Sequence, residues 1–218
     1  MASRARISPP STRSAKARPA RRAPGRYHHG DLRRALIEEA VLTIQQQGVE
    51  GLTLRSVAER LGVSRTALYR HYRDKGALLA AVAREGFRAF GDTLAEAFAA
   101  PGGGPAGFQA MGRAYVRFAV THPAHYRVMF GGFLDACNRD PELVAEAERS
   151  FAALTGAIVG LQRAGLLCPD DPARLARHVW AVSHGVAMLA IDGQLRGADP
   201  DEEMQYAIDR LLTGIRKM

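Results

Sequence analysis

The segment 53–72 contains side chains whose types and spacing suit the recognition of DNA. On a helix with 100° between successive residues, Thr66 and Arg70 lie on the side opposite to Leu68, and Tyr69 flanks them. We therefore expect Leu68 to dock against the protein while the other side faces solvent. An arginine can form a bidentate contact with guanine, and a threonine methyl can pack on thymine, so this face could read bases in a major groove.

Other polar residues of this region are placed for contacts with phosphate rather than with bases. Arg55 lies near the start of one short helix, His71 near the end of a second, and Lys75 at the start of the next. Basic side chains and the N–H groups of helix N-termini bind phosphate oxygens. Such contacts set the position of a protein on DNA but carry no sequence information. The alternative interpretation is a helical hairpin with a solvated, charged face.

Two short helices, predicted over 54–61 and 65–71, must position these side chains. Thr53 and Ser64 are suited to cap their N-termini, because a hydroxyl can accept the unpaired N–H groups of a first helical turn. Gly62 can adopt the positive φ that a tight turn between the helices requires. This spacing is typical of a helix-turn-helix.

The apolar period is helical along the rest of the chain, and no alternating strand pattern longer than four residues interrupts it. The fold is therefore predicted to be all-α. A Pro/Gly cluster over 101–105 is the one clear loop within the folded region. The further helices are predicted over 30–47, from 75 through Phe98, around 108–118, and over 141–164, 172–193 and 200–216.

Residues 28–87 closely resemble the N-terminal domain of TetR-family transcriptional regulators. The likeness lies in the runs 52–55, 57–58, 61–64 and 67–72, followed by Lys75. The resemblance implies a homodimer that places each third helix in the major groove of a palindromic operator, and a C-terminal domain whose small ligand releases the DNA. The DNA-binding positions that it implies here are Thr53, Arg55, Ser64, Arg65, Thr66, Ala67, Tyr69, Arg70, His71 and Lys75.

The C-terminal half resembles, less specifically, the regulatory domains of a subgroup named WHG for its Trp-His-Gly signature. The likeness lies in residues 122–130 and 180–185. The resemblance implies that the last two long helices, here about 172–193 and 200–216, pair with those of a partner subunit as a four-helix bundle. Independently of the resemblance, the helix that contains Leu175 is apolar on nearly all sides, which indicates burial on two fronts.

Aromatic side chains and histidines of the C-terminal half could line a ligand pocket. The residues predicted to bind the ligand are Phe118, His122, Tyr126, Phe130, Phe151, Trp180 and His184, with Met129 and Phe133 as further apolar lining and His125 as a further polar anchor. A mainly apolar lining with a few polar groups suits an apolar or amphipathic small molecule. An ordinary place in the core is an equally open interpretation for each of them.

The formal charge of +8 is concentrated at the N-terminus. Residues 1–26 hold eight of the 30 basic residues and no acidic one, so residues 27–218 carry 22 of each sign. We expect a disordered basic arm over 1–26, a helix-turn-helix domain over 27–75, and a helical regulatory and dimerisation domain over 76–218. The arm leaves an alternative function open, a nucleoid-type protein that binds DNA without regard to sequence.

Other classes of protein are disfavoured by what the sequence lacks. Cys137 and Cys168 lie far apart and form no C-x-x-C pair, which fits a reducing cytoplasm. His122 and His125 have no Cys or carboxylate nearby to complete a metal site. There is no catalytic motif and no apolar run of about 20 residues. We therefore expect a soluble cytoplasmic regulator that is not an enzyme and needs no metal or cofactor.

Overall fold

A computed structural model describes residues 29–133 and 140–215. Within these ranges every regular element is a helix, which confirms the predicted all-α class. The predicted basic arm and Cys137 lie outside the described residues. The helices are α1 (His29–Gln47), α2 (Leu54–Leu61), α3 (Arg65–Tyr69), α4 (Lys75–Ala99), α5 (Gly104–Thr121), α6 (Pro123–Phe130), α7 (Pro141–Arg163), α8 (Pro172–Ile191) and α9 (Pro200–Ile215).

The first three helices enclose a small apolar core. Leu36, Ala40 and Ile44, spaced four residues apart on α1, are buried on the side that meets α2 and α4. Val57 of α2 and Leu68 of α3 are buried in the same core. Because α2 and α3 are short and have few residues of their own to bury, they depend on this shared core for stability.

α4 joins the two halves of the chain. Its 25 residues give it a length of about 37 Å. The carboxylate of Asp74 caps it by accepting the N–H of Ala77 at 2.7 Å. Its later turns pack against α5, α6 and α7. Gly86 permits the close approach of α6, since a Cβ at this position would lie 2.6 Å from the Sδ of Met129.

The helices end within a few residues of their predicted ends, with two differences. α3 ends at Tyr69 instead of 71, because the carbonyl of Leu68 accepts the N–H groups of both His71 and Tyr72 and closes a tighter turn. α6 was not predicted as a separate helix; it begins at Pro123, directly after the last residues of α5. None of the helices in the described part of the chain is long and apolar enough to cross a membrane.

Candidate nucleic-acid interface and ligand cavity

One side of α3 faces solvent and the other is buried, as its sequence predicts. Leu68 is 1% exposed and docks into the core. Thr66 and Arg70 are exposed, and Tyr69 is 54% exposed. A large aromatic ring, a hydroxyl and a guanidinium thus stand together on a helix that is narrow enough to enter a major groove. Ala67 is half-buried against the core, which leaves it little surface for a contact.

The turn before α3 is held by backbone and cap interactions. Gly62 has φ of 67°, and the N–H of Val63 donates to the carbonyl of Ala58 at 3.0 Å. The hydroxyl of Ser64 accepts the N–H of Ala67 at 3.1 Å. These interactions fix the direction in which α3 leaves α2, so the exposed face of α3 is held rigidly.

Two of the basic residues predicted to contact phosphate have partners within the protein. The guanidinium of Arg55 donates to Glu59 at 2.7 Å, and this hydrogen bond raises its pKa. The ammonium of Lys75 donates to the carbonyl of Glu50 at 3.4 Å. Arg65 is exposed and His71 is half-buried. The hydrogen bonds of Arg55 and Lys75 both lie at the surface, so a phosphate could replace the protein acceptor in each.

The second half of the molecule contains an apolar cavity of about 560 Å³, which lies within the size range of small-molecule sites. It is formed by α4, α5, α7, α8 and α9, with part of α6. Three of the residues predicted to bind a ligand line it, namely Phe130, Phe151 and Trp180. Met129 lines it as well.

The other four predicted ligand residues do not line this cavity, and their assignment to a ligand stays a prediction. Tyr126 and His184 lie behind the wall, where the hydroxyl of Tyr126 is 2.7 Å from Nδ1 of His184. Phe118 and His122 stack with ring centroids 4.6 Å apart and border a separate, shallower groove.

A chain of hydrogen bonds connects the cavity wall to these buried groups. Nε1 of Trp180 donates to the hydroxyl of Tyr115 at 3.1 Å, and that hydroxyl is 2.9 Å from the hydroxyl of Tyr126. Burial raises the pKa of Tyr115 to about 12 and also raises that of Tyr126. Burial lowers the pKa of His184, which favours its neutral form. All four side chains of this hydrogen-bonded series are therefore uncharged near neutral pH.

Several residues of the cavity were missed by the sequence analysis. Helix α4 contributes Phe87 and Phe90, α9 contributes Met204 and Ile208, and α8 contributes Arg177. The α4 and α9 residues look like ordinary core positions in the sequence. Arg177 had a signal that was available: it is one of two arginines in the mainly apolar helix α8, and it lies one turn before Trp180.

The described residues contain no group of three or more His, Cys, Asp or Glu side chains that could hold a metal ion. His122 and His125 lie with ring centroids 6.2 Å apart and have no such third partner in the same part of the chain. Burial lowers the pKa of His125.

Comparison with known proteins gives a family for both halves of the chain. The description "Bacterial regulatory proteins, tetR family" matches residues 36–82, which include the helix-turn-helix. The description "Tetracyclin repressor-like, C-terminal domain" matches residues 108–211, which include most of the cavity lining.

Individual relatives agree with this result. Tetracycline repressor protein class C from Escherichia coli is 51% identical over 51 residues, which are 23% of this chain and 23% of that protein. The chain thus covers less than a quarter of the length of the curated tetracycline repressors that it matches. A solved structure of a protein of unknown function from Rhodococcus sp. RHA1 is 36% identical, with a TM-score of 0.79 over 88% of this chain and 99% of that one.

A TetR family transcription regulator from Marinobacter aquaeolei VT8 shares the fold at 21% identity, with a TM-score of 0.67 over 85% of this chain and 96% of that one. The architecture is that of a helical regulator with an N-terminal helix-turn-helix and a cavity-bearing C-terminal half. The chain belongs to the TetR family of bacterial regulatory proteins. This family consists of transcription regulators, which confirms the prediction that the chain is not an enzyme. Neither match specifies the Trp-His-Gly subgroup, which stays a prediction.

Proposed function

We propose that the protein is a ligand-responsive repressor of transcription that binds a palindromic operator as a homodimer and is released by a small, mainly apolar effector. The observation that carries this proposal is the exposed face of α3, on which Thr66, Tyr69 and Arg70 stand free of the core. These side chains are of the types that read base edges in the major groove. The family assignment supports the same function.

The proposed division of labour places DNA binding in residues 27–75 and effector binding with dimerisation in residues 76–218. Helix α4 connects the two proposed domains. Lys75 lies in its first turn, beside the predicted DNA-binding face, whereas Phe87 and Phe90 lie on the cavity. An effector that displaces the middle of α4 therefore also moves its first turn and the helix-turn-helix attached to it.

The proposed dimer pairs helices 172–193 and 200–216 of two subunits. Support comes from apolar groups left on the surface of α8 and α9, with Leu189 45% and Tyr206 64% exposed. Gly185 adds open space on α8, since a Cβ there would meet nothing within 4 Å. Small residues of this kind let two helix backbones approach closely. A two-fold dimer of this type would read two half-sites about 34–36 Å apart, or a multiple of that distance.

The proposal is tested by selecting bound fragments from the source genome and footprinting them with purified protein. We expect protection of a short palindrome. Arg70→Ala should reduce discrimination between the palindrome and scrambled DNA by about 1–3 kcal/mol, because a base contact is lost. Lys75→Ala should weaken binding to all sequences alike, because a phosphate contact is lost.

Arg163→Ala, at the exposed end of α7, is the matched control and should change neither property. Protection without a defined sequence, with equal effects of the two variants on matched and scrambled DNA, would instead support the nucleoid-type alternative. A cytoplasmic location is part of the proposal, as a consequence of acting on the genome.

A further inference from the structure

The cavity in the second half of the molecule is lined by one positively charged side chain and by no negatively charged one among the described residues. Among the described residues that line it, Arg177 is the only one with a charged side chain. Most of the remaining lining consists of aliphatic and aromatic groups, so the cavity offers one positive charge at an apolar surface. A ligand that neutralises this charge and also fills the cavity must be apolar over most of its length and carry one negative charge.

The polar atoms of the wall are already occupied, which leaves the guanidinium as the available donor. The hydroxyl of Ser150 donates to the carbonyl of Ala147 at 2.8 Å, and that of Ser183 donates to the carbonyl of Val179 at 2.9 Å. The Trp180 indole N–H is bound within the wall, as described above. In the described part of the chain, Arg177 forms no ion pair. A guanidinium presents a planar pair of donors that matches a carboxylate.

The position of Arg177 also defines how such a ligand would lie. Arg177 and Trp180 are one helical turn apart on α8, and both are exposed to solvent. Phe90, Met111 and Ile208, which line the same cavity, are buried. The charged group therefore lies where the cavity reaches the surface, and the apolar part of the ligand would extend inward from it.

We propose that the effector site binds a monoanionic amphiphile of the carboxylate class, with its head group on Arg177 and its hydrocarbon chain in the cavity. The inference rests on the proposed function only in naming this cavity as the effector site. A single guanidinium balances one negative charge, so the site disfavours ligands that carry several phosphates. Affinity for straight-chain carboxylates should rise about fourfold per methylene group until the cavity is filled.

The chain supplies its own probe for this binding. Trp180 is the single tryptophan of the sequence and lies on the cavity wall, so a ligand there changes its fluorescence. The protein, without DNA, is titrated with octanoate, decanoate and dodecanoate below their micellar concentrations. 1-Decanol and decylamine serve as neutral and cationic ligands of the same length. We expect decanoate to bind at least tenfold more tightly than either.

Arg177→Gln should reduce the affinity for decanoate about tenfold and leave that for 1-decanol unchanged. The unchanged binding of 1-decanol also shows that the variant is folded. Arg163→Gln, a solvent-exposed arginine outside the cavity, should affect neither ligand. Equal binding of the carboxylate, alcohol and amine, tighter binding of the amine, binding of none of them, or equal effects of the two substitutions would each overturn the proposal.

The outcome separates this inference from the proposed function. If the protein protects a palindrome but Trp180 reports no preference for carboxylates, the ligand class is wrong and the regulator remains. If Trp180 reports carboxylate binding through Arg177 but no palindrome is protected, the site is correct and the proposed regulatory function is wrong.

Discussion

Tyr126 shows how a polar side chain can be held deep in this molecule. Its ring is completely buried, and its hydroxyl lies between the hydroxyl of Tyr115 and Nδ1 of His184. With the proton of neutral His184 on Nε2, Nδ1 is an acceptor for the hydroxyl of Tyr126, which in turn accepts from Tyr115. The indole N–H of Trp180 donates to the hydroxyl of Tyr115. In this arrangement the hydroxyls of Tyr115 and Tyr126 each donate one hydrogen bond and accept another. Such a network is stable only while it is complete.

Tyr126→Phe is therefore expected to lower the free energy of unfolding by about 1–3 kcal/mol. The substitution keeps the ring but leaves the buried hydroxyl of Tyr115 and the half-buried Nδ1 of His184 without this partner. Urea denaturation followed by circular dichroism measures the change. Tyr206→Phe removes a hydroxyl from a ring that is 64% exposed and should have almost no effect. Equal stabilities of the two variants would show that the buried network contributes nothing.

The same residues show what the sequence could predict about the cavity and what it could not. Phe130, Phe151 and Trp180 were predicted to line a pocket, and they do lie on the cavity. Tyr126 and His184 were also predicted to bind the ligand, but they lie behind the wall of the cavity. Periodicity tells which face of a helix is buried, but not which side of a cavity that face meets. That depends on the packing of five helices, for which the sequence of one helix carries no information.

At the scale of elements, α4 and α7 are joined by a ladder of ion pairs. Arg84 pairs with Glu142, and Arg88 with Glu146 at 2.8 Å. Further along, Arg149 pairs with Asp92 at 2.8 Å and with Glu146 at 2.9 Å. The partners on the two helices are always 57 or 58 residues apart in the sequence, so the helices run in the same direction. The ladder thus holds α4, the helix that joins the two halves of the molecule, against α7.

Glu146→Gln is expected to lower the free energy of unfolding by about 0.5–1 kcal/mol at low salt, because Glu146 accepts from both Arg88 and Arg149. The loss should shrink in 1 M NaCl, where the screening length falls to about 3 Å. Thermal or urea unfolding at the two salt concentrations measures it. Glu148→Gln, an exposed residue of the same helix, is the control. A loss that is independent of salt, or that is equal in the two variants, would contradict the role of the ladder.

Local signals predicted the elements well where caps and breakers lie in the sequence itself. Thr53 and Ser64, which were predicted to cap α2 and α3, accept the N–H groups of Ser56 and Ala67. The end of α3 was predicted two residues too late because no glycine or proline marks it. At this end the carbonyl of Leu68 accepts the N–H groups of both His71 and Tyr72 in a closing turn.

At the scale of the whole molecule, the DNA-binding half carries little excess charge. Residues 27–75 have eight basic and six acidic side chains, whereas residues 1–26 have eight basic side chains and no acidic one. Specific recognition would therefore depend on a few placed side chains of α3. The N-terminal residues would add a nonspecific attraction to phosphate.

Deletion of residues 1–26 is accordingly expected to weaken operator binding and to make the affinity less dependent on salt, because fewer counterions are released from the DNA. The preference for the operator over scrambled DNA should be kept. Binding measured by fluorescence anisotropy between about 50 and 200 mM salt tests both points. If the preference for the operator is lost with the deletion, the N-terminal residues read bases themselves.

The order of charges along the ladder between α4 and α7 has a consequence for motion. If α7 slid forward along α4 by one turn, about 5.4 Å, Glu146 would meet Asp92. If it slid back by one turn, Arg149 would meet Arg88. Only one register of the two helices pairs every charge with an opposite one. The ladder therefore opposes sliding of α7 along the axis of α4. We expect a bound effector to tilt or rotate α4 about these ion pairs instead. Such a motion would carry a small displacement at the cavity to the first turn of α4, at Lys75.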